Sequence, residues 1–340
     1  MIKVVHLFNH HTGARYPAMI SQGLWLHPEV EVSYNMPFIS LGKEICPADS
    51  NLETSLLGAE YIFRAGDSHF GIADVDGLLD GHDLWGKVIY YDFKDEAAID
   101  THRLQTCHAY LKRNWSSGYD RRPLAPAPVP ILPVDFGLLS EYYVDPIPVE
   151  KDIDIAYLFP PDQRIGRRRY SVYEELDRVR GAFSSPAIGV PTASARVGRR
   201  AIFDPPEGNP FLAYLRMLKR AKIVFTAFPD EHDGDSRTWE AFSSGAMVFM
   251  DTTHIPSPQP FVHGKHCYIY DARDRDSICT AIDTAMEYLK DDAGRENIAQ
   301  QGLEHALMYH KPEDRISMIL KWVRSSPRIL TDHVQLYHPA

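Results

Sequence analysis

Two polar stretches lie between runs of strand character and runs of helix character, and both carry residues suited to a phosphorylated ligand. The first is Asp162-Gln163-Arg164-Ile165-Gly166-Arg167-Arg168-Arg169, with four arginines in six positions. A guanidinium is planar, permanently charged and matches phosphate oxygens, and a helix start adds backbone N–H donors. Arg164, Arg168 and Arg169, with Arg167 beside them, are therefore candidates to hold a diphosphate. The plainer alternative is a solvated basic helix start that pairs with Glu174 and Glu175, although cations at a helix N-terminus oppose its dipole.

The second stretch is Gly234-Asp235-Ser236-Arg237-Thr238-Trp239-Glu240-Ala241-Phe242-Ser243-Ser244-Gly245-Ala246. On a helix that begins near Ser236, the spacing puts Ser236, Arg237, Glu240 and Ser244 on one polar face. Trp239, Phe242 and Ala246 then form the opposite, buried face. A capping box for Glu240 would need Ser or Thr at 237, where Arg stands. An exposed Arg237–Glu240 pair is the bland reading and is worth only a few tenths of a kcal/mol. The functional reading gives Arg237 a phosphate and Glu240 the two vicinal hydroxyls of a ribose.

The elements that position these residues alternate. Short apolar runs at 4–8, 30–34, 61–63 and 87–91 read as strands, with helices expected at 17–26, 52–57 and about 97–107. Seven prolines between Pro123 and Pro148 interrupt this rhythm and suggest a crossing between packed units. The same alternation restarts with strands at 154–159, 187–190, 223–226, 247–250 and 267–270. Helices are expected at 167–180, 211–219, 236–244, 277–289, 295–309 and 313–323. Strand–helix alternation implies parallel sheets. The expected fold is α/β, with two Rossmann-like, doubly wound domains facing across a cleft. The expected domains are residues 1–148 and 149–325, followed by a tail at 326–340. Ligands of open parallel sheets bind beyond the carboxyl ends of strands. That directs attention to the polar loops at 9–13, 65–69 and 92–96 as well.

Composition narrows the classes. With 340 residues, 44% hydrophobic and 24% charged, the chain is that of a packed protein of two domains. Lys and Arg number 36 against 46 Asp and Glu, a net charge of −10, which disfavours nucleic-acid binding. Cys46, Cys107, Cys267 and Cys279 form no CxxC and suit reduced thiols. No apolar run reaches the roughly 20 residues of a membrane span, and the N-terminus does not read as a signal peptide. A cytoplasmic protein without stable membrane insertion is expected. Sixteen histidines invite a metal, but adjacent His10 and His11 diverge on a strand and no HExxH is present. No metal is expected. A nicotinamide-binding Rossmann reading fails because Asn9-His10-His11-Thr12-Gly13 lacks the Gly-x-Gly-x-x-Gly spacing.

Tyr214 and Ala221–Phe225, followed by Asp235 through Ala246 with its Arg-x-x-Glu-Ala helix, resemble the donor domain of GT-B glycosyltransferases. The likeness is greatest to the exostosin-like and bacterial spore-maturation-type branch. Residues 152–169, the 261–271 region and Tyr309-His310 extend it over roughly 150–325. One departure concerns the pair of glutamates eight positions apart found in many retaining members. Eight positions before Glu240 stands His232, with Glu231 one place off.

The resemblance implies transfer of a sugar from a nucleotide sugar to a hydroxyl acceptor, which is a glycan, glycolipid or small molecule. It implies no cofactor and no metal, since protein cations and helix dipoles carry the leaving diphosphate's charge. It assigns the donor to Arg164, Arg168, Arg169, Ser236, Arg237 and Glu240 in the C-terminal domain, and the acceptor to the N-terminal domain. The 261–266 loop would border the sugar. An inverting reaction needs a base on an N-terminal loop. His10, His11, Asp67, His69, Asp92 and Asp95 are the candidates, each with a turn or cap role as its alternative. A nucleotide-sugar-binding protein of the same fold without catalysis is the alternative function.

Overall fold

The computed structural model describes residues 1–8, 15–40, 43–66, 73–93, 99–113, 131–142, 149–159, 166–189, 209–230, 233–253, 255, 257 and 259–325. Two compact units emerge. The described residues up to Phe136, with the helix Pro312–Ser325, make the first, and those from Gly137 to Lys311 make the second.

In the first unit the order is β1 (Ile2–Leu7), α1 (Arg15–Leu26), β2 (Val30–Tyr34), β3 (Phe38–Ser40), β4 (Lys43–Cys46), α2 (Leu52–Gly58), β5 (Tyr61–Ala65), α3 (Ala73–Gly81), β6 (Val88–Asp92), α4 (Thr101–Thr106), β7 (Ala109–Lys112) and β8 (Ile131–Pro133). Six described strands form one sheet in the order β2-β1-β5-β6-β7-β8, every pair parallel. β6 is buried along its whole length, as a central parallel strand must be. Val5, Leu7, Ile62, Val88 and Tyr90 anchor a core that reaches Leu56, Leu79 and Leu104 on the helices. β3 and β4 form a separate antiparallel hairpin.

The second unit runs β9 (Ile153–Tyr157), α5 (Arg167–Arg178), β10 (Pro186–Ile188), α6 (Pro210–Arg220), β11 (Ala221–Phe225), α7 (Ser236–Ser243), β12 (Met247–Asp251), β13 (Tyr268–Tyr270), α8 (Arg275–Tyr288) and α9 (Asp292–Tyr309). Five described strands pair in parallel in the order β10-β9-β11-β12-β13. Ile155, Tyr157, Ile223, Phe225, Met247 and Phe249 form the sheet side of one core, with Val172 and Leu176 of α5 and Ile278 and Ile282 of α8 against it. The expected pair of doubly wound parallel sheets is thus present.

Three details differ from the sequence expectation. The chain leaves the first unit after Phe136, ahead of the expected boundary at 148, because β8 lies inside the proline-rich stretch. It ends in Pro133 at the sheet edge, where a missing N–H costs no ladder bond. The final described helix, α10 (Pro312–Ser325), belongs to the first unit rather than the second. It packs on α1, where Gly23 permits the approach: a Cβ there would stand 2.5 Å from the Pro312 carbonyl oxygen and 2.7 Å from Ile316 Cγ1. His27 Nε2 and Ser317 Oγ, 3.0 Å apart, join the same two helices. The 97–107 helix is also shorter than expected, starting at Thr101 with the Asp100 carboxylate as its cap. The tail at 326–340 lies outside the described residues. Among the described residues no helix is long and apolar enough to cross a membrane.

Candidate functional site

The carboxyl ends of β9, β11 and β12 are followed by the residues in which sequence reasoning found its chemistry. Ten residues separate β11 from α7, and Asp235 caps α7, accepting from the Arg237 N–H at 3.2 Å. Gly245, with φ of +66°, ends the helix in a left-handed turn that a residue with a side chain adopts at a cost. α6 begins with Asn209 as cap and Pro210 in its first turn, and it passes directly into β11.

Arg237 is half-buried. Its guanidinium carbon lies 4.1 Å from the centre of the Phe159 ring, and Nη1 donates to the Leu158 carbonyl oxygen at 3.2 Å. Among the described residues no carboxylate pairs with it. Glu240, one turn on, is completely buried, and its Oε2 accepts from the Tyr214 phenol at 2.8 Å. Ser236 is buried as well. The polar face of α7 is therefore not an exposed one: the helix is covered on nearly all sides, and Arg237 reaches the surface.

The arginines of the other loop are differently placed. Arg168 is buried, with Nη1 3.0 Å from Asp233 Oδ1 and Nη2 2.7 Å from Asp251 Oδ2. Arg169 pairs with Asp235, donates from Nε to the Ala227 carbonyl oxygen at 3.0 Å, and stacks over Phe159 at 4.7 Å. Phe159 thus carries two guanidinium groups. The N-terminus of α5 already holds an anion. The Asp230 carboxylate accepts from the Arg167 N–H at 2.5 Å and the Arg168 N–H at 2.7 Å, beside Gly166 with φ of +102°. A Cβ on Gly166 would lie 3.2 Å from that carboxylate. Four aspartates serve this helix start and its neighbour, rather than the Glu174 and Glu175 of the plainer alternative. Arg164 lies outside the described residues.

Asp251 is fully buried and also accepts from the Phe228 and Ala272 N–H groups, each at 3.0 Å. Burial pushes its carboxyl up to about 6, against the pull of Arg168 and the two N–H groups. Of the 261–266 loop, Phe261 and His266 are buried, whereas residues 262–265 are exposed. Phe261 stacks on Phe242 at 4.0 Å and on His310 at 5.0 Å. His266 stacks on His305 at 4.1 Å, and burial, helped by His305, lowers its pKa to about 4. Phe261 and His266 are packing residues in this arrangement. Among the described residues no group of three or more His, Cys, Asp or Glu side chains is arranged to hold a metal ion.

In the first unit Asp92 closes β6. It is buried, and its Oδ2 accepts from Lys112 Nζ at 2.9 Å and from the Tyr110 phenol at 2.7 Å. His10, His11, Asp67, His69 and Asp95 lie outside the described residues. Sequence reasoning missed Asp230, Asp233, Asp251, Tyr214 and Phe159. The one local signal was Asp251 at the end of an otherwise apolar strand.

Similarity to known proteins bears on this geometry. A family described as glycosyl transferase-like matches residues 207–321, a stretch that holds α6, α7 and both Arg237 and Glu240. Among solved structures, HepE of Anabaena in complex with UDP-glucose is 13% identical with a TM-score of 0.53, over 94% of this chain and 100% of that one. Sucrose-phosphate synthase of Thermosynechococcus elongatus is 12% identical with a TM-score of 0.54, over 95% of this chain and 98% of that one. An alpha-glucosyltransferase in complex with UDP and a 13-mer DNA is 10% identical with a TM-score of 0.59, over 95% and 99%. No curated protein matches the chain in sequence. The fold is GT-B, two Rossmann-like domains, and the family match together with it supports a GT-B glycosyltransferase.

Proposed function

We propose that the chain transfers a sugar from a nucleoside-diphosphate sugar to a hydroxyl acceptor, without a metal ion. The observation that carries this reading is Arg237: a cation fixed on Phe159 and the Leu158 carbonyl, free of any described carboxylate, one helical turn before Glu240. It stands inside the stretch matched by the glycosyl transferase-like family. Arg237 and the N-terminus of α7 stabilise the diphosphate as it departs, and Glu240 accepts the ribose hydroxyls. Because Glu240 is covered, the nucleoside displaces part of its cover on entry. Arg168 and Arg169 act one step back, bracing the loops through Asp233, Asp251 and Asp235.

In the reaction the bond from the sugar's anomeric carbon to the β-phosphate oxygen breaks, and the diphosphate leaves with the electron pair. The acceptor oxygen bonds to that carbon and gives its proton to a base. His10, His11, Asp67, His69 and Asp95, which follow β1, β5 and β6 in the sequence, are the proposed sources of that base. Asp92, tied to Lys112 and Tyr110, supports the same edge from below. UDP-glucose is the first donor to test, since HepE is seen with it. The four free cysteines support a reducing, cytoplasmic setting. The narrower kinship with exostosin-like and spore-maturation-type enzymes rests on the Arg-x-x-Glu-Ala helix.

Thermal-shift screening with UDP-, GDP-, CMP- and dTDP-sugars, followed by a radiolabelled turnover assay in EDTA, tests the reading. A ligand bound only by the native state raises the melting temperature. The expected result is a shift with one donor class and release of its nucleotide in EDTA. Absence of any shift overturns the reading. Binding without release of labelled sugar, with or without acceptors, favours a silent binding protein.

A further inference from the structure

Glu240 is the one carboxylate of α7, and it has no solvent exposure. Removing a carboxylate from water is costly, and an apolar pair of the same volume would fill this space without that cost. One partner is specific: the Tyr214 phenol donates to Oε2 at 2.8 Å. A hydrogen bond to an ionised oxygen inside a desolvated site is stronger than one between neutral groups. Tyr214 is itself held. It is 4% exposed, its ring stacks on Phe211 at 6.2 Å, and Phe211 meets the ring of Tyr142 at 6.0 Å. α6 carries Tyr214 and runs without a break into β11, the strand whose carboxyl end leads to α7. The Ser243 hydroxyl donates to the Glu240 carbonyl oxygen at 2.7 Å and secures the backbone on the other side.

The geometry points to Tyr214 as a positioning residue that fixes the Glu240 carboxylate and so sets the preference for ribose over 2′-deoxyribose in the bound nucleotide. The inference rests on the proposed role of Glu240 as acceptor of the ribose hydroxyls. A carboxylate takes two hydroxyls of a vicinal diol only when both oxygens lie in the diol's plane. Glutamate has three side-chain torsions, and the bond to Tyr214 removes the freedom to rotate out of that plane. Losing the phenol therefore weakens discrimination between the sugars more than it weakens binding of the diphosphate, which Arg237 grips separately.

The test is calorimetric titration of the full chain with UDP and with 2′-deoxy-UDP, for the wild type, Tyr214→Phe, Glu240→Gln and the double variant, with apo melting temperatures alongside. Wild type is expected to prefer UDP by on the order of 10-fold, the value of one hydrogen bond to a charged group. Tyr214→Phe is expected to reduce the preference to about 3-fold or less, and the double variant to match Glu240→Gln, because both substitutions act through one carboxylate. A purely structural role for Tyr214 lowers the melting temperature and leaves the ratio unchanged, which overturns the inference. If wild type shows no preference, or Glu240→Gln keeps it, the reading of Glu240 itself fails. Should Tyr214→Phe not fold, Phe211→Leu, which loosens the ring under Tyr214, must lower the ratio for the inference to stand.

Discussion

Arg168 Nη2 lies 2.7 Å from Asp251 Oδ2, joining the first turn of α5 to the last residue of β12. Both groups are buried, and Asp233, which precedes α7, completes the cluster. Among the described arginines of this edge, Arg168 and Arg169 pair with aspartates, whereas Arg237 pairs with no described carboxylate.

Asp251 gives stability a particular pH dependence. Its folded-state pKa, about 6, stands above the 3.8 of an ordinary aspartate. Between those values the folded state binds more protons than the unfolded state, so this group's contribution falls as pH rises from about 4 to about 6 and is lost above it. The whole shift corresponds to about 3 kcal/mol. Asp251→Asn does not titrate. Urea denaturation of wild type and variant at pH 4.5 and pH 7.5 should show the variant faring better, relative to wild type, at the higher pH. A deficit that instead grows with pH means that Arg168 outweighs burial.

Arg168 and Arg237 should respond in opposite ways to alanine. Arg168→Ala leaves Asp233 and Asp251 buried without their cation, at a cost of about 3–5 kcal/mol. Arg237→Ala strands no carboxylate and gives up a cation–π contact of about 1 kcal/mol. It should nevertheless weaken UDP binding about 10-fold or more, the loss of a charge-assisted hydrogen bond. Melting temperatures and calorimetric affinities separate the two effects. Wild-type UDP affinity in a folded Arg237→Ala protein removes this residue from the donor site.

Gly23→Ala tests the seam between α1 and α10. In an open helix the change would stabilise by up to about 1 kcal/mol. Here the added methyl meets the Pro312 carbonyl oxygen, which is backbone and yields little. The expected outcome is a loss of about 1–3 kcal/mol in thermal or urea unfolding. A stabilised variant would mean that α10 does not press on α1 as described.

The sequence made the sheet strands and the amphipathic helices legible, because their residues answer to their immediate neighbours in the chain. β9, β11 and β12 are apolar runs closed by polar turns, and α6 shows its core face plainly. β8 was hidden by Pro133, which is permissible only at an edge that the sequence does not announce. α3 was missed because Gly77 and three aspartates mask a helix pattern. Arg237 and Glu240 were recognised as a pair on one helix, yet their surroundings were not: the Tyr214 phenol that bonds Glu240 stands 26 positions away. The partners of Arg168 lie 65 and 83 positions on, and separation of that kind leaves no local trace. The basic loop consequently looked like an anion clamp, although Asp230 already fills its helix start.

The return of α10 to the first unit has a consequence for biosynthesis. The surface formed by Gly23 of α1 and by His27 just after it is finished by residues translated after the second unit. On the ribosome the amino-terminal sheet must wait, one flank bare, while nearly two hundred further residues emerge. Arrest or proteolysis late in the chain therefore strikes the half that was made first.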